Sequence, residues 1–301
     1  MELWIPITIA AAFLQNLRTA AQKKLQGSLG TTGASFVRFG FGFPLALAYL
    51  AALHYLDARP LPPPTWMFTL WCVIGGLAQI SATILLVHMF TLRNFAVGTA
   101  YSKTEPVQAA LFGLIILGET LTRGAVFAIM VGVIGVMMIS IARAPMTWRG
   151  IGEALVSRSA AIGVLSGTLF GISAVAFRAA GLALDTPDPI VRAAMALAFA
   201  TVFQTIVMVI WISWKDMSEF GRVAKAWKSS AVIGVTSVVG SACWFTAMAL
   251  QQVAYVRSLG QIELIFTFAA SIFLFKEKIN AMEVIGCLLI VSGILTLLLM
   301  H

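Results

Sequence analysis

A lysine, a glutamate and a proline interrupt an apolar part of the chain. In the stretch AYSKTEPVQA, residues 100–109, Lys103 and Glu105 stand two residues apart, just before Pro106. A charge at the centre of a membrane helix costs about 2.5–3.5 kcal/mol on insertion scales, and chains tolerate this where the charge faces a partner or a water-filled cavity. Residues two apart point about 200° from each other on a helix, so we expect Lys103 and Glu105 to reach different neighbours.

Two interpretations of Glu105 stay open at this point. The carboxylate could form a structural ion pair between helices, or it could line a cavity and bind substrate or carry a proton. Tyr101 lies on the same helical face as Glu105, and Pro106 removes the hydrogen bond to the carbonyl of Ser102, which leaves a polar group beside the charges. We therefore count Tyr101, Lys103 and Glu105 as candidate substrate-binding or coupling residues.

A second apolar stretch repeats this theme near the end of the chain. The sequence SLGQIELIFT, residues 258–267, contains Gln261 and Glu263, and Arg257 directly precedes it. Arg257 and Gln261 are four residues apart and share one helical face. Guanidinium groups bind carboxylates and phosphates strongly, so Arg257, Gln261 and Glu263 join the candidate site.

The first apolar segment carries a polar stripe. Gln15, Arg18 and Gln22 recur at helical spacing on an otherwise apolar helix. Such a stripe would be costly against lipid, so we expect it to face the protein interior. Arg18 is therefore another candidate for substrate binding.

Three further arginines lie within a turn or two of expected helix ends. Arg38, Arg178 and Arg192 could extend to the membrane interface or form ion pairs there. Asp185 and Asp188 lie near Arg178 and Arg192 in the connecting loop, which favours such pairs. We keep Arg38 and Arg192 among the candidate binding residues.

The candidate buried charges are mostly positive. Two are acidic, Glu105 and Glu263, and six are basic: Arg18, Arg38, Lys103, Arg178, Arg192 and Arg257. A cavity that most of them line would be electropositive and would favour a substrate with a carboxylate, phosphate or sulfonate. Glu105 or Glu263 would then bind an amine or carry a proton.

The composition requires a membrane environment. Of the 301 residues 60% are hydrophobic and 11% are charged, whereas a soluble domain is about 25% charged. A soluble fold could not cover this much apolar surface, so we expect the lipid bilayer as a partner. The net charge of +8 does not indicate nucleic-acid binding, because no contiguous basic patch with interleaved aromatic residues occurs.

Neither a cofactor nor a metal is expected. Cys72, Cys243 and Cys287 lie in apolar segments without metal-ligand spacing. His54 and His88 are isolated from other ligands. No P-loop motif is present in the sequence, so we do not expect ATP to supply energy.

Ten apolar segments are long enough to cross a bilayer about 30 Å thick. Their connections are short and carry turn residues, including the run Pro62–Pro64. The segments are 3–22, 31–56, 65–91, 95–117, 121–142, 160–181, 189–213, 230–250, 254–275 and 280–300.

The two halves of the chain match at an offset of 158 residues. Glu105 then aligns with Glu263, and Gly135 aligns with Gly293. A second copy of a five-helix unit enters the membrane from the opposite side, which is the inverted-repeat plan of many secondary transporters. We therefore predict an all-α membrane protein with ten transmembrane helices in two inverted five-helix repeats: a first repeat (1–142), a polar connector (143–159) and a second repeat (160–301).

Positive residues are unevenly divided between the two sets of loops. The loops after each odd-numbered segment hold twelve Lys or Arg residues, whereas the opposite loops hold two, Arg59 and Arg123. The positive-inside rule places the rich side in the cytoplasm and both termini on the non-cytoplasmic side. The expected location is the bacterial inner membrane.

The chain resembles the drug/metabolite transporter superfamily, specifically its EamA-type carriers. The motif P-x-x-x-A-x-x-x-x-x-x-x-G-E is carried by Pro106, Ala110, Gly118 and Glu119. The second half departs from it, since Leu264 replaces the proline and Lys276 the glycine. The resemblance covers essentially the whole chain and implies a ten-helix carrier. Many members are thought to have cytoplasmic termini, which differs from the loop bias here.

These observations predict a secondary transporter and not an enzyme. The substrate would be a small polar or amphipathic metabolite with an anionic group, such as an amino acid or organic acid. It would cross by alternating access, coupled to protons or by exchange. A multidrug exporter or lipid flippase of the same fold is the alternative, and a membrane-embedded transferase is a remote one.

Overall fold

The computed structural model describes residues 2–92, 102, 104–141, 157–273, 276 and 280–299. All regular elements within these residues are helices. The first half forms α1 (Trp4–Gly40), α2 (Phe43–Tyr55), α3 (Trp66–Met89), α4 (Glu105–Leu117) and α5 (Arg123–Ile141). The second half forms α6 (Arg158–Leu182), α7 (Pro189–Lys215), α8 (Ser218–Lys225), α9 (Trp227–Leu250), α10 (Val253–Leu259), a 3₁₀ turn (Gly260–Ile262), α11 (Glu263–Phe273) and α12 (Ala281–Leu299).

Among the residues that the structure describes, six helical segments are long and apolar enough to cross a membrane. One of them combines α1 and α2, and the others are α3, α6, α7, α9 and α12. Helices α4 and α5 are apolar but shorter as described. This set is typical of a multi-pass membrane protein, while the count of ten crossings stays a prediction.

The first two predicted segments differ from the structure at their junction. The helix continues past residue 22, and its interruption is at Gly30, whose φ of 66° and ψ of −176° suit glycine and few other residues. The predicted segment 31–56 is itself broken after Gly40, because Pro44 lies in the first turn of α2 and cannot donate a helical hydrogen bond.

The predicted segment 254–275 is also not one continuous helix. It divides into α10, the 3₁₀ turn Gly260–Ile262 and α11. A Cβ at Gly260 would come within 2.5 Å of the Trp244 ring, so glycine permits this close packing. In addition, the polar connection 214–229 contains α8, which the sequence analysis did not predict.

Pairs of contacting helices correspond to each other after a shift of 158 residues along the chain. Both ends of α5 and α12 differ by this offset, since 281 − 123 and 299 − 141 each equal 158. The extensive contact of α1 with α9 has its counterpart in the contact of α6 with α3. Glycine permits the close approach of α5 to α12: a Cβ at Gly135 would lie 2.5 Å from the Gly286 carbonyl oxygen, and one at Gly293 would lie 2.8 Å from that of Ala128. These contacts show that α5 and α12 cross in opposite directions.

Candidate functional site

A cluster of buried charges lies between helices of the two halves. Arg18 of α1 is 2% exposed, Glu105 of α4 is 4% exposed and Glu263 of α11 is 1% exposed. Arg18 is close enough to Glu263 and to Arg257 of α10 to interact with both electrostatically. The stripe predicted on the first segment therefore faces the interior, because Gln22 is buried as well.

Glu105 and Arg257 form an ion pair between α4 and α10. The Arg257 Nε atom lies 3.0 Å from Glu105 Oε1. The Arg257 guanidinium also stacks on Trp244, with 4.4 Å from Cζ to the ring centroid. The pair links residues from the two halves of the chain. The structural ion pair that was one interpretation of Glu105 is thus present, and it does not exclude a role in transport.

Glu263 is the first residue of α11 and directly follows the 3₁₀ turn Gly260–Ile262. Its Oε2 accepts a hydrogen bond of 2.5 Å from Gln15 Nε2, and Asn16 Nδ2 donates to Thr267 Oγ1 one turn further on, at 2.7 Å. Both acidic residues of the site occupy the first turn of a helix, where the helix dipole favours a negative charge. Glu105 is the first residue of α4 as described, and most of the earlier part of the predicted segment 95–117 lies outside the described residues.

Gln261 lies within the 3₁₀ turn between these charged residues. It is 2% exposed, and its side chain packs against Gly132 of α5. A Cβ at position 132 would approach Gln261 Oε1 to 2.4 Å, so any other residue there would displace the Gln261 amide.

Arg38 is buried inside the protein. It is 5% exposed and its Nη1 donates to Thr83 Oγ1 at 2.8 Å. Beyond Thr83 the polar contacts continue, because Gln204 of α7 donates through Nε2 to Gln79 Oε1 of α3 at 2.9 Å. Among the described residues, no Asp or Glu pairs with Arg38. The charges of described residues that act on it are those of Arg18 and Arg257.

Arg192 is not brought into this cluster. Its Nε donates to the Thr186 carbonyl at 2.7 Å, one turn into α7, so it satisfies the backbone of the loop before that helix. Arg178 pairs with Glu119 and donates to the carbonyls of Met248 and Gln251. The expected pairing of these two arginines with the loop aspartates does not occur in the described contacts.

Asp188 instead stabilises the start of α7. Its Oδ1 accepts from the Ile190 amide at 2.8 Å, and its Oδ2 lies 2.6 Å from Arg59 Nη1. Partial burial opposes ionisation of Asp188, but the hydrogen bonds from the Ile190 amide and from Arg59 outweigh this and lower its pKa. The pKa of Arg59 is raised, first by its hydrogen bond to Asp57 and then by its hydrogen bond to Asp188.

Two candidates, Tyr101 and Lys103, lie outside the described residues. Conversely, the sequence analysis did not select Gln79, Thr83 or Gln204, whose signal is a polar side chain inside an apolar helix. No group of three or more His, Cys, Asp or Glu side chains that could hold a metal occurs in the described part of the chain.

Known proteins provide a comparison for this architecture. The model of the EamA-like transporter family matches twice, at residues 2–141 and 158–299. One solved crystal structure is similar with a TM-score of 0.69 at 17% identity, covering 99% of this chain and 96% of that one, which shows a shared fold. No curated protein matches the chain. The two family matches agree with the resemblance noted in the sequence, and the chain belongs to the EamA-like transporter family, a family of membrane transporters.

Proposed function

We propose that the protein is a secondary transporter that moves a small polar or amphipathic metabolite by alternating access. The observation that carries this proposal is the buried charge cluster between the two halves. Arg18 and Glu105 belong to the first half, and Arg257 and Glu263 to the second. A rocking motion of one half against the other would change the contacts of all four residues, so binding at this place couples to the motion.

The carboxylates of the cluster provide a way to couple transport to the binding and release of protons. In the described conformation the Glu105 carboxylate lies 3.0 Å from Arg257 Nε. If the halves separate, the same carboxylate loses the Arg257 charge and takes up a proton more readily, because a nearby opposite charge favours the ionised form. Proton-coupled transport or exchange would follow from this alternation, with Glu263 as the second candidate carrier.

A second function is favoured by an apolar groove on the outer surface. The groove, of about 340 Å³, lies between α2, α3 and α7, and Leu50, Phe68 and Phe199 are among its lining residues. Such a surface suits an acyl chain or an apolar drug. A lipid flippase or multidrug exporter would therefore use the groove in addition to the charged cluster, whereas a carrier of polar metabolites would not. Substitution of Phe199 by a polar residue distinguishes the two.

The opposed directions of α5 and α12 support an inverted arrangement of the repeats 1–142 and 160–301, joined by the connector 143–159. Together with the uneven distribution of Lys and Arg, this leads us to propose a bacterial inner-membrane location with both termini on the non-cytoplasmic side.

The decisive experiment removes the ion pair in two ways. We expect Glu105→Gln to abolish counterflow in proteoliposomes and to destabilise the protein, since breaking a buried pair costs about 3–5 kcal/mol. In the double variant Glu105→Gln with Arg257→Met, no unpaired charge from this pair remains, so stability should return while counterflow stays absent.

The double variant also tests the purely structural alternative. If the pair only holds α4 against α10, restored stability should bring restored transport. Counterflow at the wild-type rate in that variant would show that neither residue serves binding or coupling. Arg192→Met, outside the cluster, serves as the matched control and should retain transport.

A further inference from the structure

We propose that Arg38 and the polar residues around it form a carboxylate-binding subsite, separate from the Glu105–Arg257 pair. The inference rests on the proposed transport function and names the chemical group by which a substrate would be recognised. The subsite lies between α1, α3, α7 and α9. It is lined by Arg38, Gln79, Thr201, Gln204, Ser237 and Ser241 among others.

Arg38 carries a buried charge that no acidic residue in the described part of the chain balances. The guanidinium is 5% exposed, and its contacts are a hydroxyl, Thr83 Oγ1 at 2.8 Å, and the ring of Phe39. The charges acting on it, Arg18 and Arg257, are cations. A buried charge without a counter-charge is strongly unfavourable, so an anion that binds here relieves a cost that the unliganded protein bears.

The lining supplies a hydrogen-bond donor that is not used within the described structure. Ser237 is 2% exposed and its hydroxyl has no partner among the described residues. The Oε1 atom of Gln204 also lacks a partner among them, but it is an acceptor and would not contact an anion. A bound carboxylate would accept from Arg38 and from Ser237, which satisfies polar atoms that are otherwise buried alone.

The shape of the Arg38 guanidinium favours a carboxylate over a phosphate. One guanidinium balances one negative charge, and its planar fork matches the two oxygens of a carboxylate. The other lining residues that the structure describes are uncharged, so the planar match of guanidinium to carboxylate is the feature that favours a carboxylate over a tetrahedral phosphate. The cavity has a volume of about 10 Å³, about the space for one water molecule, so a carboxylate enters only when lining side chains move apart.

The test uses the purified full-length chain and two probes, sodium acetate and sodium phosphate, each exchanged for sodium chloride at constant ionic strength. We expect acetate to raise the thermal unfolding midpoint of the wild type more than phosphate does, because a ligand stabilises the state that it binds. In Arg38→Met the midpoint without ligand should rise, since an unbalanced charge is removed, and the affinity for acetate should fall at least tenfold. Arg257→Met is the matched control for stability and should lower the midpoint, because it leaves Glu105 without its arginine.

Ser237→Ala provides a second variant should Arg38→Met not fold. It should keep the wild-type midpoint and weaken acetate binding about threefold, as expected for one lost hydrogen bond of modest strength. An acetate response that is unchanged in Arg38→Met or in Ser237→Ala overturns the subsite, and so does a phosphate response larger than that to acetate.

Counterflow with the same preparations separates this inference from the proposed function. Counterflow in a protein that shows no acetate response would contradict the subsite and support the transport function. An Arg38-dependent acetate response in a protein that catalyses no counterflow would support the subsite and contradict the transport function.

Discussion

Arg38 and Arg257 are both buried arginines, yet the protein treats their charges differently. Arg257 has a carboxylate at 3.0 Å and an aromatic ring beneath it. Arg38 has a threonine hydroxyl and nearby cations. An unbalanced buried charge favours whichever state admits an anion, whereas a charge with a carboxylate beside it gains less from one. For this reason we propose coupling for the Glu105–Arg257 pair and substrate recognition for Arg38.

At the same scale, Asp188 permits a test of the link between its ionisation and stability. Its folded-state pKa lies below the model-compound value of 3.8, so its ionic contribution is present above about pH 4 and is lost as the pH falls through the folded value. We expect Asp188→Asn, which keeps the capping hydrogen bond, to cost about 0.2–1 kcal/mol at neutral pH. Asp188→Ala should cost about 1 kcal/mol more.

Unfolding in urea across a pH series provides the measurement. The difference between wild type and Asp188→Asn should shrink as the pH falls below about 4. A difference that persists unchanged in acid would show that the lost charge is not its cause.

A helix of this protein is interrupted at a place where buried polar side chains lie. The break between α10 and α11 brings Gln261 and Glu263 into the interior, and it satisfies part of the backbone by a 3₁₀ turn. Non-helical backbone at membrane depth is tolerated where it is buried in protein or lines a cavity. Interrupted helices are therefore the elements that we expect to move or to contact the substrate.

The interruption of α1 gives a prediction at this scale. A Cβ at Gly30 would have open space, so the cost of Gly30→Ala comes from its backbone angles of 66° and −176°. We expect Gly30→Ala to destabilise the protein by about 1–3 kcal/mol. Gly27, three residues earlier in α1, also has open space around it, and Gly27→Ala should stabilise the helix by about 0.5–1 kcal/mol.

Chemical unfolding of both variants in detergent micelles measures these changes in the free energy of unfolding. Equal effects of the two alanines would mean that the geometry at Gly30 imposes no special requirement.

The whole molecule is organised by the relation between its halves. The family model matches both halves, and the main helix pairs correspond at an offset of 158 residues. The opposite directions of α5 and α12 agree with the inverted arrangement that we propose for the two repeats.

The proposed orientation is testable in whole cells. Leu56 lies 86% exposed in the loop before α3, and Met217 lies 68% exposed beside α8. We expect a cysteine at Leu56 to react with a membrane-impermeant maleimide from outside the cell. A cysteine at Met217 should react after permeabilisation only, because its loop is on the Lys- and Arg-rich side.

The parent protein measures the background from Cys72, Cys243 and Cys287, of which Cys72 is buried. The reverse labelling pattern would place both termini in the cytoplasm.

The sequence by itself determined the membrane class, most helix positions and the family resemblance, because apolar periodicity and an in-register repeat are local properties of the chain. It also selected Arg18, Glu105, Arg257 and Glu263, since a charge in an apolar segment needs a partner whatever the fold. Which partner each finds was decided by tertiary structure, because helices distant in the sequence supply it. The structure paired Glu105 with Arg257, removed Arg192 from the cluster and buried Arg38 beside residues from three other helices.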